Sequence, residues 1–225
     1  MRNILVAATL LCSLASGSVL AAGATFDGVS TTGASLTVSK NKRTVTWTTP
    51  AVASGGSSIV STTFKHTGKW YAAFRIAFSP DQPFSIGLGW ANATFNPSTP
   101  TTSLETGPGN IVEAGANIDL GGSSVYGAVS TSSVTFFSSD TAPENDDIII
   151  VYVDFGANTW GVVTPDGVDH PDLGVLPAGP LTVLAGVGVD GSADGAAIVT
   201  LLKDTSSKLK CDADHIPAGY KNIAE

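Results

Sequence analysis

Apolar and polar residues exchange with a period of two over short runs of this chain, and beyond residue 21 no segment holds a helical period for ten residues. Lys69–Phe78 shows the pattern most cleanly. Trp70, Ala72, Phe74, Ile76 and Phe78 share one face, while Tyr71, Ala73, Arg75 and Ala77 share the other. Pro80 and Pro83 then end the run, because proline cannot donate to a strand ladder. Ser35–Ser39 and Arg43–Thr49 read as a strand pair turning near Asn41, with Leu36, Val38, Val45 and Trp47 inward. Phe84–Ala91 points Phe84, Ile86, Leu88 and Trp90 to one side and Ser85, Gly87, Gly89 and Ala91 to the other. Asp147–Phe155 is almost continuously apolar, as in a central strand. Its face of Ile149, Val151, Val153 and Phe155 should meet the core, and Gly156-Ala157-Asn158 should turn it into Thr159–Thr164.

Val125–Val129 with Val134–Phe137, and Leu181–Val189 with Ala196–Leu202, are expected as further pairs, the last closed by the Asp190–Gly195 turn. Ala53–Ser58 reads as a Gly/Ser loop. Asn92–Ala116 reads as a long Pro/Thr/Gly-rich loop holding at most a short strand near Ile111–Glu113. About ten strands between Gly, Pro and Asn turns make an all-β chain, an antiparallel β-sandwich or a barrel.

The first residues follow another logic. Met1-Arg2-Asn3 is positive, Ile4–Leu20 is apolar or small, and Val19-Leu20-Ala21 supplies small residues at the −3 and −1 positions of a cleavage site. A second small-x-small triplet, Ala22-Gly23-Ala24, follows directly. The run is short for a membrane span and is diluted by Ser13, Ser16, Gly17 and Ser18. Residues 1–21 are therefore expected to be a cleaved signal peptide, residues 22–203 one β-sandwich domain, and residues 204–225 a tail. The tail would anchor through Ile216-Pro217-Ala218-Gly219-Tyr220. The expected address is secreted or periplasmic, without membrane insertion after cleavage.

Composition narrows the partners. With 11 Lys and Arg against 19 Asp and Glu, the chain lacks the cationic surface that nucleic-acid phosphates require. Of its two cysteines, Cys12 leaves with the signal, so Cys211 is left without an internal disulfide partner. An intermolecular bond forming a homodimer is one use for it.

Several segments, taken in order, resemble the SPRY (B30.2-like) family. Gly68-Lys69-Trp70-Tyr71 is similar to that family's GKWY strand opening, Ile86-Gly87-Leu88-Gly89-Trp90-Ala91 to its glycine-alternating strand, and Tyr126-Gly127 to its YG pair. Asn145-Asp146-Asp147-Ile148 through Val153-Asp154-Phe155, followed by Thr159-Trp160, resembles its GD…D…W stretch. Pro165-Asp166-Gly167 stands at the family's turn, and Pro180–Val189 resembles a late strand. Ala73 stands where an acidic residue is common, Asn145-Asp146 replaces Gly-Asp, and the Asn92–Ala116 loop is peculiar to this chain. The resemblance implies a concanavalin-like β-sandwich and a non-catalytic, lectin-like or protein-binding module working through its loops. It carries over no binding residue.

The search for chemistry agrees with that expectation. Retaining glycosidases on such sandwiches need two carboxyl groups roughly 5–5.5 Å apart, yet Glu105, Glu113 and Glu225 have no acid two residues on, and the Glu144/Asp146 pair stands before the Asp147–Phe155 strand rather than along it. Asp154 is the one acid well inside an expected strand, and it reads as a carboxylate accepting hydrogen bonds from the following turn. The chain has neither a G-x-S-x-G nor an H-E-x-x-H pattern, and His66, His170 and His215 fall in separate segments. No catalytic residue, metal or cofactor is expected. Asp166–Asp172 and Asp190–Asp194 offer oxygens to calcium but read as Asp-Gly turns.

Trp47, Trp70 and Trp90 read as core. Trp160, just after a turn, is the candidate stacking platform for a sugar or an apolar side chain. Ser85, Gly87 and Gly89, with Ala91, form a nearly side-chain-free face. If Ala73, Ala77, Gly186 and Gly188 lie beside them, a ligand, a second protomer or the protein's own loop could approach the backbone there. The expected function is a secreted, non-catalytic module recognising an extracellular or surface protein or glycan. A carbohydrate-active enzyme and a structural component of an extracellular assembly are the alternatives.

Overall fold

The computed structural model describes residues 23–27, 35–49, 55–79, 84–93, 95, 114–119, 124–129, 143–189, 195–203 and 216–225. These residues form two facing sheets and no helix. The first sheet runs, in spatial order, β1 (Ser35–Val38), β2 (Thr44–Thr49), β12 (Gly195–Leu201), β4 (Lys69–Phe78), β8 (Ile148–Asp154), β9 (Thr159–Val163) and β10 (Asp169–Val175). The two-residue β13 (Lys221–Asn222) pairs with β4 in parallel, opposite Trp70 and Tyr71, where β12 has run out. The second sheet runs β3 (Gly55–Val60), β11 (Leu181–Val189), β5 (Phe84–Asn92), β6 (Ala114–Asp119) and β7 (Ser124–Val129).

The period-two pattern sorts as expected between the layers. Phe74 and Ile76 of β4, Ile149, Val151 and Val153 of β8, and Val199 and Leu201 of β12 meet Ile86, Leu88 and Trp90 of β5 and Val183 and Val187 of β11. Fully burying each of the larger side chains contributes about 1.5–3 kcal/mol. The indoles also tie the layers together. Trp47 Nε1–H in β2 donates to Ser57 Oγ in β3 at 3.1 Å, and Trp90 Nε1–H in β5 donates to the Val151 carbonyl in β8 at 3.3 Å. A buried indole needs such an acceptor, and here the acceptor lies in the opposite layer.

Every residue of β8 is buried. Its odd positions meet the core, and its even positions, Ile148, Ile150 and Tyr152, form a second cluster with Tyr71, Ala73 and Val163 on the outer face. The tail covers that cluster through Ile216 and Tyr220, as its apolar residues imply. Asn222 then clasps the tail: its Nδ2 donates to the Leu202 and Lys203 carbonyls, and its Oδ1 accepts the Ala224 N–H.

Four expectations need correction. Gly55–Val60 is an edge strand rather than a loop, because β11 takes up its backbone groups and Ser57 receives the Trp47 indole. A Cβ on Gly186 would stand 3.2 Å from both Ser57 O and Ser58 Cβ, so β3 and β11 lie close together. The segment read as loop up to Ala116 becomes β6 from Ala114, and β6 pairs with β7. Asp169–Val175 is strand β10 with a register shift between His170 and Gly174, at the sheet edge where a bulge and Pro171 are tolerated. Finally, β11 and β12 do not form a hairpin. β11 lies in the second sheet and β12 in the first, because both carry an apolar face and periodicity cannot say which layer supplies it. Residues 111–113 and 134–137 lie outside the described residues.

Candidate binding surface

Trp160 is not a surface platform. It is 0% exposed, belongs to the central core and lies opposite Val153 of β8 and Gly174 of β10. A Cβ on Gly174 would stand 3.1 Å from its Nε1, so the neighbouring strand closes over the ring. The turn before Trp160 is built as the sequence implies: Asp154 Oδ1 accepts the N–H groups of Gly156 and Ala157 at 2.8 and 3.1 Å. Asp154 Oδ2 also meets Lys69 Nζ at 2.8 Å. The Lys69 ammonium and these two N–H donors together hold its carboxyl below the usual range despite burial. This acid is structural.

Ser85, Gly87 and Gly89 lie on β5 facing away from the core, and all three are buried. Gly186 and Gly188 of β11 pair with Gly87 and Ser85, as the sequence suggests. Ala73 and Ala77 do not join them, because β4 belongs to the other sheet and Ala73 is packed beneath the tail. On the β5 face, Phe95 packs against Ala91 and Leu184, with Val60 beside them. The face is therefore covered at that end, and Ser85 Oγ is buried without a hydrogen-bond partner among the described residues.

Of the four tryptophans, Trp70 is the one that is not buried. Gly68, with φ of 82°, turns the chain into β4, and Trp70 Nε1–H donates to the Thr67 carbonyl at 2.7 Å. This sets the indole at the rim of the sandwich, half-buried against the core edge. Two further elements bring charge to it. Lys65 is fixed by a two-way backbone bridge to Leu181 and places its Nζ 4.0 Å from the indole centroid. Lys221, opposite Trp70 in β13, places its Nζ 6.0 Å away. Tyr220 meets Tyr152 edge-on with centroids 5.1 Å apart, and Lys69 lies 5.4 Å from its ring. Trp70, Tyr71, Tyr220, Lys65, Lys221 and Asn222, together with Gly23, Ile223 and Glu225 from the two chain ends, line a pocket of about 380 Å³.

Behind Tyr220, Tyr152 Oη–H donates to Asp169 Oδ1 at 2.6 Å, and burial with that acceptor pushes the Tyr152 hydroxyl pKa up. Asp169 is thus tied to the fold. Asp166 accepts the Thr164 hydroxyl within a turn where Gly167 N–H also donates to the Thr164 carbonyl. Among the described residues no group of three His, Cys, Asp or Glu side chains could hold a metal ion. Asp190–Asp194, Cys211 and His215 lie outside them. Sequence reasoning placed Trp70 in the core because its period matches Phe74. The missed signal was its position one residue from the strand start, after a glycine turn and directly behind a lysine.

No family model matches this sequence, and no curated protein matches it. Solved structures do. The carbohydrate recognition domain of Emp47p superposes with a TM-score of 0.53 at 14% identity, over 77% of this chain and 85% of that one. The SPRY domain of human HERC1 gives 0.49 at 11% identity, over 76% and 94%, and the PSpry domain of TRIM65 gives 0.47 at 13%, over 81% and 90%. With two facing antiparallel sheets in the order described, this chain has the concanavalin-like β-sandwich fold that its SPRY resemblance implied.

Proposed function

We propose that the chain is a secreted, non-catalytic binding module whose ligand, an extracellular or surface protein or glycan, seats on the rim around Trp70. The observation that carries this reading is the pocket itself: the half-buried Trp70 indole and the Tyr220 ring, with the Lys65 and Lys221 ammonium groups and the acidic Glu225, line one opening. Aromatic faces supply contact area at low entropic cost, and the few polar groups fix orientation. The non-catalytic reading is supported by how the acids are used. Asp154 and Asp169 serve a turn, an ion pair and a tyrosine.

Arrays of glycans and surface proteins, probed with wild type and Trp70→Ala, test the proposal. Wild type should bind a ligand that Trp70→Ala binds at least 10-fold more weakly, with unchanged circular dichroism. Equal binding by the variant would remove the site from the rim. Release of new reducing ends from a polysaccharide would favour the enzyme alternative.

A further inference from the structure

The residues that follow the expected leader are built into the core. Ala24 is fully buried, Phe26 is 1% exposed, and both belong to the central cluster between the sheets. The Ala24 N–H donates to the Ile223 carbonyl at 2.8 Å, and the Phe26 N–H donates to the Lys42 carbonyl at 2.6 Å. From the other side, Arg43 donates a guanidinium N–H to the Ala224 carbonyl at 2.8 Å. The slot admits only a glycine before Ala24: a Cβ on Gly23 would stand 2.1 Å from Ala224 O. Residues 23–26 and 223–224 therefore complete each other.

This bears on the two small-residue cleavage patterns, which end at Ala21 and at Ala24. Their products differ. Cleavage after Ala21 leaves Gly23–Phe26 intact. Cleavage after Ala24 removes Gly23, Ala24 and the bond to Ile223, and it starts the chain at Thr25. A charged α-ammonium would then adjoin the buried Phe26, where desolvation opposes it. We infer that the leader is removed at the Ala21–Ala22 bond and that Gly23–Phe26 is a structural segment of the processed protein. The inference rests on reading residues 1–21 as an export leader.

The test is to export the full chain from a bacterial host and determine the intact mass and N-terminal sequence of the folded product. A start at Ala22 is expected. A start at Thr25 would overturn the inference while leaving export intact, whereas a folded product that retains Met1 would overturn the export reading instead. Melting gives an independent readout. Protein made to begin at Thr25 should melt about 4–8 °C below protein beginning at Ala22, the shift for losing one backbone hydrogen bond and one buried methyl in a domain of this size. Gly23→Val should lower the melting temperature or abolish folding. If both variants melt like wild type, the segment is not seated and the inference fails.

Discussion

Gly161 offers the sharpest test of the packing on the outer face of the first sheet. It lies directly opposite Tyr152, and a Cβ built on it would stand 2.3 Å from both Cζ and Oη of that tyrosine and 2.7 Å from Cε2. Ordinary contact begins about 1 Å further out, so Gly161→Ala must drive the ring off its seat. The ring is held by the 2.6 Å hydrogen bond to Asp169 and the edge contact with Tyr220. Losing a hydrogen bond to a charged acceptor costs about 1.5–3 kcal/mol, and losing the aromatic contact costs about 0.5–1.5 kcal/mol. Alanine returns about 0.5–1 kcal/mol through the lower entropy of its unfolded chain. The net destabilisation is about 1–4 kcal/mol, a fall of roughly 2–16 °C in melting temperature. The assay is a double-mutant cycle by chemical denaturation with Tyr152→Ala as the second change. Once the ring is gone, Gly161→Ala should be neutral or slightly stabilising. The same destabilisation in both backgrounds would refute the steric argument.

Three further outcomes follow from the same geometry. Asp154→Asn should cost about 1–2 kcal/mol at neutral pH, because it removes the Lys69 ion pair and weakens the turn. Because folding lowers the Asp154 pKa, its contribution is present above the unfolded value near 4 and is lost as pH falls through the lower folded value. Wild type should therefore lose stability in acid more steeply than the asparagine variant, and parallel melting curves from pH 5 to 2 would contradict this. Trp160→Ala should destabilise by about 3–5 kcal/mol, measured by denaturant titration, and it should do so whether or not ligand is present. Trp70→Ala should weaken ligand on the binding arrays while moving the melting temperature by only a few degrees.

How much of this was legible in the sequence depends on the kind of question. Which face of a strand meets the core follows from period two, so Ile149, Val151 and Val153, the Asp154 turn and the tail anchors Ile216 and Tyr220 could all be read directly. Which strand pairs with which could not, since β11 and β12 carry equivalent patterns yet occupy opposite layers. Gly55-Gly56-Ser57-Ser58 has turn composition and becomes a strand only because β11 and Trp47 supply partners remote in sequence. Trp70 and Trp160 show the same limit at the candidate site. Each is the second residue of its strand, and each shares a face with core residues. They differ in what the sheet sets beside them. Gly174 and its strand close over Trp160, whereas Trp70 has the two-residue β13 and a pair of lysines.

That difference also explains why the candidate surface lies at the rim. A β-sandwich has two broad outer faces, and a flat ligand or a second sheet could in principle dock on either. Here the first is closed where Tyr220 and Ile216 cover Ile148, Ile150 and Tyr152, a contact reinforced by the Asn222 clasp. The second is closed where Phe95 covers Ala91 and Leu184, and the glycines of β5 beside them are buried as well. Covering these faces removes apolar surface that would otherwise invite self-association. It also frees the ends of the strands, where side chains are set by turns rather than by the ladder. Trp70 stands at such an end, anchored by Thr67 on one side and approached by residues 65 and 221 from two other elements. A ligand meeting that rim touches three separate chain segments at once, so its affinity should depend on the tail being docked. Removing residues 216–225 should therefore abolish binding even though Trp70 itself is retained.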